Sequence, residues 1–153
     1  YVLDSHKPVY AINPGASGDI SLTKDQTSND SIRWSQSKAG PYNTSPLVYQ
    51  DLLYVLHDRG FLACYNALTG ELLYDKKRLP EGRAFTASPW AYNGQVFCLS
   101  EYGITYAIKS GPDFEILHMN KLHENAMCMS TPAIAGNSLI IRAENSLYCI
   151  QEK

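Results

Sequence analysis

The chain has 153 residues, of which 44% are hydrophobic and 18% charged, enough apolar content for a packed core and too much for a disordered segment. The formal net charge of −2 excludes a general binder of nucleic acid or of anionic membranes, which needs a basic surface. No apolar run approaches the roughly 20 residues that span a bilayer, and no signal peptide lies within residues 1–153, which begin at Tyr1 rather than Met and so assign no compartment.

Two short apolar runs open the chain, Tyr1-Val2-Leu3-Asp4 and Val9-Tyr10-Ala11-Ile12. Residues 13–30 are rich in Gly, Ser, Thr, Asp and Asn and read as a surface insertion. A third run, 31–35, carries Trp34 as its large apolar residue. From Ser45 the pattern becomes regular. Ser-Pro at 45–46 returns as Ser-Pro at 88–89 and as Thr-Pro at 131–132, 43 residues apart each time, and a fixed period of this size marks a repeat architecture.

Superposed, the repeats give a four-run unit. Run A is 46–49, 89–92 and 132–135, opened by the proline, which lacks a ladder N–H and suits the start of a strand. Run B is 52–57, 95–100 and 138–142, apolar almost throughout, as expected of a strand buried on both faces. Run C is 61–66, 104–109 and 146–151, each with a central tyrosine: Tyr65, Tyr106 and Tyr148. Run D is 71–76 and 114–120, more polar and so nearer the outside. Gln50-Asp51, Asn93-Gly94 and Gly136-Asn137 read as two-residue hairpin turns between A and B. Asp58-Arg59-Gly60, Glu101-Tyr102-Gly103 and Ala143-Glu144-Asn145 read as three-residue loops between B and C, with Gly60, Gly103 and Asn145 in the left-handed position. No stretch shows a long helical period.

Four-stranded antiparallel units at this period describe the blades of a β-propeller. The predicted fold is therefore all-β, a partial ring of two full and two incomplete blades. Its parts are an incomplete B-C-D blade over 1–40 with the insertion at 13–30, full blades over 41–83 and 84–126, and an incomplete A-B-C blade over 127–153. Starting within a blade predicts that N-terminal blades are missing. Ending after run C predicts a natural C-terminus near Lys153. An arc of this kind exposes apolar faces and open edges, so closing the ring requires the remainder of the same polypeptide or another copy.

The segment Cys64-Tyr65-Asn66-Ala67-Leu68-Thr69-Gly70-Glu71-Leu72-Leu73-Tyr74 resembles the quinoprotein-like (PQQ-like) propeller repeat, which places a tryptophan where Tyr74 stands. Tyr10-Ala11-Ile12 with Ile32-Arg33-Trp34 resembles the same motif. Tyr106-Ala107-Ile108 keeps its first half, but Pro112-Asp113 replaces its Thr-Gly. The resemblance implies a WD40-like propeller from the C-terminal part of a bacterial protein that is periplasmic, envelope-bound or secreted. It extends to the propeller of an outer-membrane assembly lipoprotein, which binds partners and does no chemistry. Quinone-dependent alcohol dehydrogenases share the repeat and add an adjacent Cys-Cys pair and calcium ligands, neither of which can be placed here.

The favoured reading is a non-catalytic interaction or scaffold module that binds a protein, glycan or small ligand, with no cofactor. The alternatives are a fragment of a dehydrogenase holding PQQ and calcium, and the sensor domain of a signalling protein. Propeller topology puts the B-to-C and D-to-A connections on one face, so Arg59, Arg83 and Tyr102 are the candidate partner-binding residues.

Other residue groups carry a plain reading beside a functional one. Residues 118–129 collect His118, Met119, His123, Met127, Cys128 and Met129, soft ligands for copper(I) or methionines filling gaps between blades. Asp58, Glu101 and Glu144 read as turn residues rather than an acid–base pair. Asp19, Asp25 and Asp30 lack EF-hand spacing and read as a solvated loop. Lys76, Lys77 and Arg78, with Arg83, read as a charged connection after run D or as the lining of an anion funnel. Cys64, Cys98, Cys128 and Cys149 form no Cys-x-x-Cys pair and read as free, buried thiols.

Overall fold

The computed structural model describes residues 7–123 and 126–151. Thirteen strands form four antiparallel sheets, and the described residues contain no helix. The first sheet pairs β1 (Val9–Ile12) with β2 (Ile32–Gln36). The second runs β3 (Leu47–Tyr49), β4 (Leu52–His57), β5 (Phe61–Asn66) and β6 (Leu72–Arg78). The third runs β7 (Trp90–Tyr92), β8 (Gln95–Leu99), β9 (Ile104–Lys109) and β10 (Ile116–Lys121). The fourth holds β11 (Ala133–Ala135), β12 (Ser138–Arg142) and β13 (Leu147–Gln151). The chain is thus a partial all-β propeller. The strand expected over residues 1–4 lies outside the described residues.

Local chemistry sets the hairpins. Gln50 and Asp51 both take positive φ (52° and 61°), as does Asn93 (48°) before Gly94 (74°), the backbone of a type I′ turn. Gln50-Asp51 adopts this turn without a glycine. Each A strand starts one residue after its proline, at Leu47, Trp90 and Ala133, so the missing N–H falls outside the ladder.

The sheets stack through alternating strand faces. On β4, Leu53 and Val55 pack with Trp34, Ala39, Ala63 and Tyr65 toward the first sheet. Tyr54 and Leu56 point the other way, joining Leu62, Cys64, Tyr74, Val96, Cys98 and Tyr106 between the second and third sheets. A third cluster, including Trp90, Leu99, Cys128 and Ile141, joins the third sheet to the fourth. This double-sided packing explains the unbroken apolar runs on β4 and β8.

Hydrogen bonds repeat the 43-residue spacing between sheets. Ser45 N–H donates to Ser88 Oγ and Ser88 N–H donates to Thr131 Oγ1, both at 2.9 Å. The Thr-Gly turn of the second sheet takes a different anchor. Trp34 Nε1–H donates to the Ala67 carbonyl at 3.0 Å, and Gln36 Nε2 donates to the Gly70 carbonyl at 2.7 Å. In the third sheet, where Thr-Gly is absent, Tyr54 does this work. Its hydroxyl meets Ser110 Oγ and accepts from Gly111 N–H, each at 3.0 Å.

Several expectations are corrected. The last B-to-C loop closes by an Ala143 N–H to Ser146 carbonyl bond of 2.8 Å, which leaves two residues in the turn, and Asn145 is not left-handed. Lys76, Lys77 and Arg78 belong to β6 rather than to a connection, because β6 continues past a bulge at Lys76 (φ 39°) and pairs Lys77 with Leu62 and Arg78 with Phe61. The Arg78 guanidinium lies over the Phe61 ring at 4.8 Å. Strand β13 is largely exposed, with Leu147 at 71%, because among the described residues no further sheet covers it. Cys149 on that strand is exposed for the same reason, whereas Cys64, Cys98 and Cys128 are free and buried. Met127 and Met129 are 45% and 50% exposed, so Cys128 between them, not the methionines, fills the space between sheets.

Gly70 sits at φ +74°, and a Cβ there would lie 2.6 Å from the Trp34 ring. Gly70→Ala is expected to lower stability in chemical denaturation by on the order of 2 kcal/mol or more, through strain and displacement of Trp34. Gly94→Ala, at the same φ with open space around it, is expected to cost about 1 kcal/mol. Equal losses would show that the Trp34 contact contributes nothing.

Candidate interaction face

The B-to-C loops and the connections leading into A strands come together on one face, held by a second set of 43-residue repeats. Phe85 N–H donates to the Asp58 carbonyl at 2.9 Å, and Cys128 N–H donates to the Glu101 carbonyl at 3.0 Å. Glu101 N–H donates to the Ala84 carbonyl and Glu144 N–H to the Met127 carbonyl, both at 2.9 Å. Leu79 N–H and Leu122 N–H bond the Gly60 and Gly103 carbonyls at 2.9 and 3.0 Å. Gly60 (φ +80°) must be a glycine on two counts, since a Cβ there would also lie 2.5 Å from the Gly82 carbonyl oxygen.

The acidic turn residues are structural capping groups. Asp58 Oδ1 accepts from the N–H groups of Tyr42 and Asn43 at 3.2 and 3.0 Å. Glu101 Oε1 accepts from Thr86 Oγ1 at 2.5 Å. Both carboxylates tie a loop to the connection entering their own sheet. Glu144 has a methionine, Met129, where Glu101 has Thr86. There the face opens into a small pocket of about 210 Å³ lined by Met127, Met129, Arg142 and Glu144.

Arg59, Arg83 and Tyr102 all project from this surface, with Tyr102 52% exposed. Their backbones lie on contiguous segments: the 58 carbonyl bonds residue 85, and the 84 carbonyl bonds residue 101. Arg78 fastens the first two, donating from Nη1 to the Arg59 carbonyl and from Nη2 to the Gly82 carbonyl at 2.8 Å. Topology placed these three residues on one face, and their segments are indeed contiguous there. It missed Met127, Met129 and Arg142 as part of the same surface, because only the swap of Thr86 for Met129 signals the pocket.

The remaining candidates do not assemble. Among the described residues no three His, Cys, Asp or Glu side chains converge to hold a metal ion. Glu124 and Asn125 of the soft-ligand segment lie outside the described residues. In the insertion, Asp19 Oδ1 accepts from Ser21 N–H at 2.9 Å, and bonding to Ser21 lowers its pKa. His57 is held below the ordinary imidazole range, first by burial and then by Lys76, and its Nε2 is buried without a partner. No helix of the described residues is long and apolar enough to cross a membrane.

The architecture is that of the PQQ-like β-propellers. The chain is similar to the crystal structure of BamB from Moraxella catarrhalis, with a TM-score of 0.64 and 15% identity over 79% of this chain and 37% of that one. It is also similar to the quinohemoprotein alcohol dehydrogenase ADHIIG from Pseudomonas putida HK5, with a TM-score of 0.50 and 14% identity over 65% of this chain and 16% of that one. The chain thus spans well under half the length of either structure. No protein-family model and no curated protein matches it.

The interior carries a pH dependence. Burial pushes the Cys64 thiol up to about 11 and the Tyr106 phenol up to about 12, and raises Cys98 and Tyr74 further. The folded chain keeps protons that the unfolded chain releases above ordinary thiol and phenol values. Stability is therefore full below pH 9.0, the ordinary thiol value, and falls as pH rises toward about 11 and beyond. The Tyr74 hydroxyl is buried with no well-formed hydrogen bond, only the weakly polar Cys64 thiol beside it. Tyr74→Phe is expected to leave stability at pH 7 unchanged or raise it by up to ~1 kcal/mol, and to flatten the alkaline fall. Thermal melts from pH 7 to pH 11 test this, and a large loss at pH 7 contradicts it.

Proposed function

We propose that this chain is a non-catalytic β-propeller module of a larger bacterial envelope or secreted protein. It binds a partner, a protein or glycan in the first place, through the face carrying Arg59, Arg83 and Tyr102. The observation that supports this reading is the stitched surface itself. Adjacent loops are bonded backbone to backbone, so exposed side chains stand on a rigid base with little ordering left to oppose binding. Arginine and tyrosine are also the side chains that dominate binding energy at interfaces. The sequence resemblance supports the envelope setting.

The reading without a quinone is supported by the sequence, which has no adjacent cysteine pair, and by Asp58 and Glu101, whose carboxylates are engaged as loop caps. Calorimetric titration with PQQ and calcium is accordingly expected to show no stoichiometric uptake. Tight uptake with dye-linked alcohol oxidation would establish the dehydrogenase reading instead. For binding, Arg59→Ala, Arg83→Ala and Tyr102→Ala combined are expected to abolish cross-linking to envelope proteins or glycans while the melt stays unchanged. Undiminished cross-linking would remove this face from consideration.

The remaining blades of the ring come, in this proposal, from the rest of the polypeptide or from another copy. Residues 1–153 alone are expected to self-associate in analytical ultracentrifugation. A monodisperse monomer with one cooperative melt contradicts that expectation.

A further inference from the structure

Three arginines meet on the loop face where the second sheet adjoins the third. Arg78, at the end of β6, is fixed by its surroundings. Its guanidinium lies over the Phe61 ring at 4.8 Å, with Nη1 donating to the Arg59 carbonyl and Nη2 to the Gly82 carbonyl at 2.8 Å. It thereby ties the loop that carries Arg59 to the turn that precedes Arg83. That turn is itself tight. Glu81 takes φ 62°, and Gly82 N–H donates to the Pro80 carbonyl at 2.7 Å. The Tyr106 hydroxyl donates to the same carbonyl, so the turn is held from both sides. All three arginines are exposed, and none lies within ion-pairing distance of a described carboxylate.

The propeller scaffold does not call for this charge. One repeat later the registers correspond, and Lys121 pairs with Ile104 as Arg78 pairs with Phe61. That loop closes with the same backbone bond, Leu122 N–H to the Gly103 carbonyl at 3.0 Å, against Leu79 N–H to the Gly60 carbonyl at 2.9 Å. It closes with neither an aromatic ring nor a guanidinium in those two places. The arginine cluster therefore belongs to one junction and not to the repeat. Both sheets at that junction have all four strands, so its exposure owes nothing to a chain end.

We propose, resting on the reading of this face as a binding surface, that Arg59, Arg78 and Arg83 clamp the carboxylates of a short acidic segment in a protein partner. Guanidinium forks match planar carboxylates with paired hydrogen bonds. The two carbonyls take only part of the donor set of Arg78, and its position is fixed before the partner arrives, so little ordering opposes binding there. Charge around the cluster selects a short acidic segment over an extended polyanion. Asp58 adjoins Arg59, Glu81 lies in the turn before Arg83, and Glu101 bonds the Ala84 carbonyl, so negative charge borders the arginines and repels a long anionic chain beyond them. Tyr102, 52% exposed and next to Glu101, offers a ring to an apolar side chain beside the acids.

The test selects binders of the whole chain from a random peptide library displayed on phage. Counter-selection on the chain with Arg59→Ala, Arg83→Ala and Tyr102→Ala combined keeps the peptides specific to this face. Those peptides are expected to be rich in Asp and Glu. Their affinity, read by fluorescence anisotropy, is expected to fall about tenfold or more when their acids are replaced by amides, when salt is raised to about 1 M, or with Arg78→Lys, which keeps the charge and loses the fork. The amide peptides leave the chain untouched, so their result stands even if Arg78→Lys loosens the loop. Face-specific peptides without acids overturn the clamp and leave the binding face in place, whereas failure to recover any face-specific peptide overturns both. Dextran sulfate binding as tightly as the acidic peptides also overturns the clamp, by assigning the arginines to a polyanion.

Discussion

One interaction sets the spacing of everything else: the backbone N–H of a serine that precedes a proline, donated to the hydroxyl of the Ser or Thr one repeat later. Proline removes the next ladder donor, so this N–H is the last one before β3 and before β7. A hydroxyl on the neighbouring sheet satisfies it. A single such bond adds about 1 kcal/mol, far less than the apolar area buried around Tyr54, Cys98 and Tyr106. Its effect is on register. It ties equivalent residues of successive sheets, and the loop bonds from Phe85 to Asp58 and from Cys128 to Glu101 repeat the same step at the face.

That register has a consequence for function. Because each loop is bonded to the connection beside it, the face is a continuous backbone surface rather than a set of independent tips. Asp58 and Glu101 are engaged in holding it, and Arg59, Arg83 and Tyr102 are among the side chains directed outward from it. Where the capping pair fails, as with Met129 opposite Glu144, the surface opens into a pocket instead. The same logic governs the fourth sheet. It repeats the apolar composition of the others, but among the described residues only one side of it is covered, so similar strand chemistry yields a core at Ile141 and an exposed surface at Ile150.

Strand and turn positions were legible because their causes are local. Asn93-Gly94 adopts its turn whatever surrounds it, and the apolar run of β4 marks a strand with two buried faces. Arg59, Arg83 and Tyr102 were legible as a group only through topology. The errors over burial share one origin. Cys149 looks like a core residue in sequence, and Met127 and Met129 look like gap fillers, yet each depends on whether a neighbouring sheet lies over it. The basic run at 76–78 was misplaced because β6 passes through a bulge at Lys76, which no residue preference there announces.

The amino-acid sequence by itself determined the repeat, the order and direction of the strands, most of the hairpin types and the all-β class, since each rests on period, proline and glycine or asparagine within a few residues. The tertiary structure decided which equivalent positions are buried, which carboxylates become caps, and how far β13 stands exposed. Those outcomes are set by contacts between residues far apart in the chain, and burial is a property of the neighbour as much as of the residue.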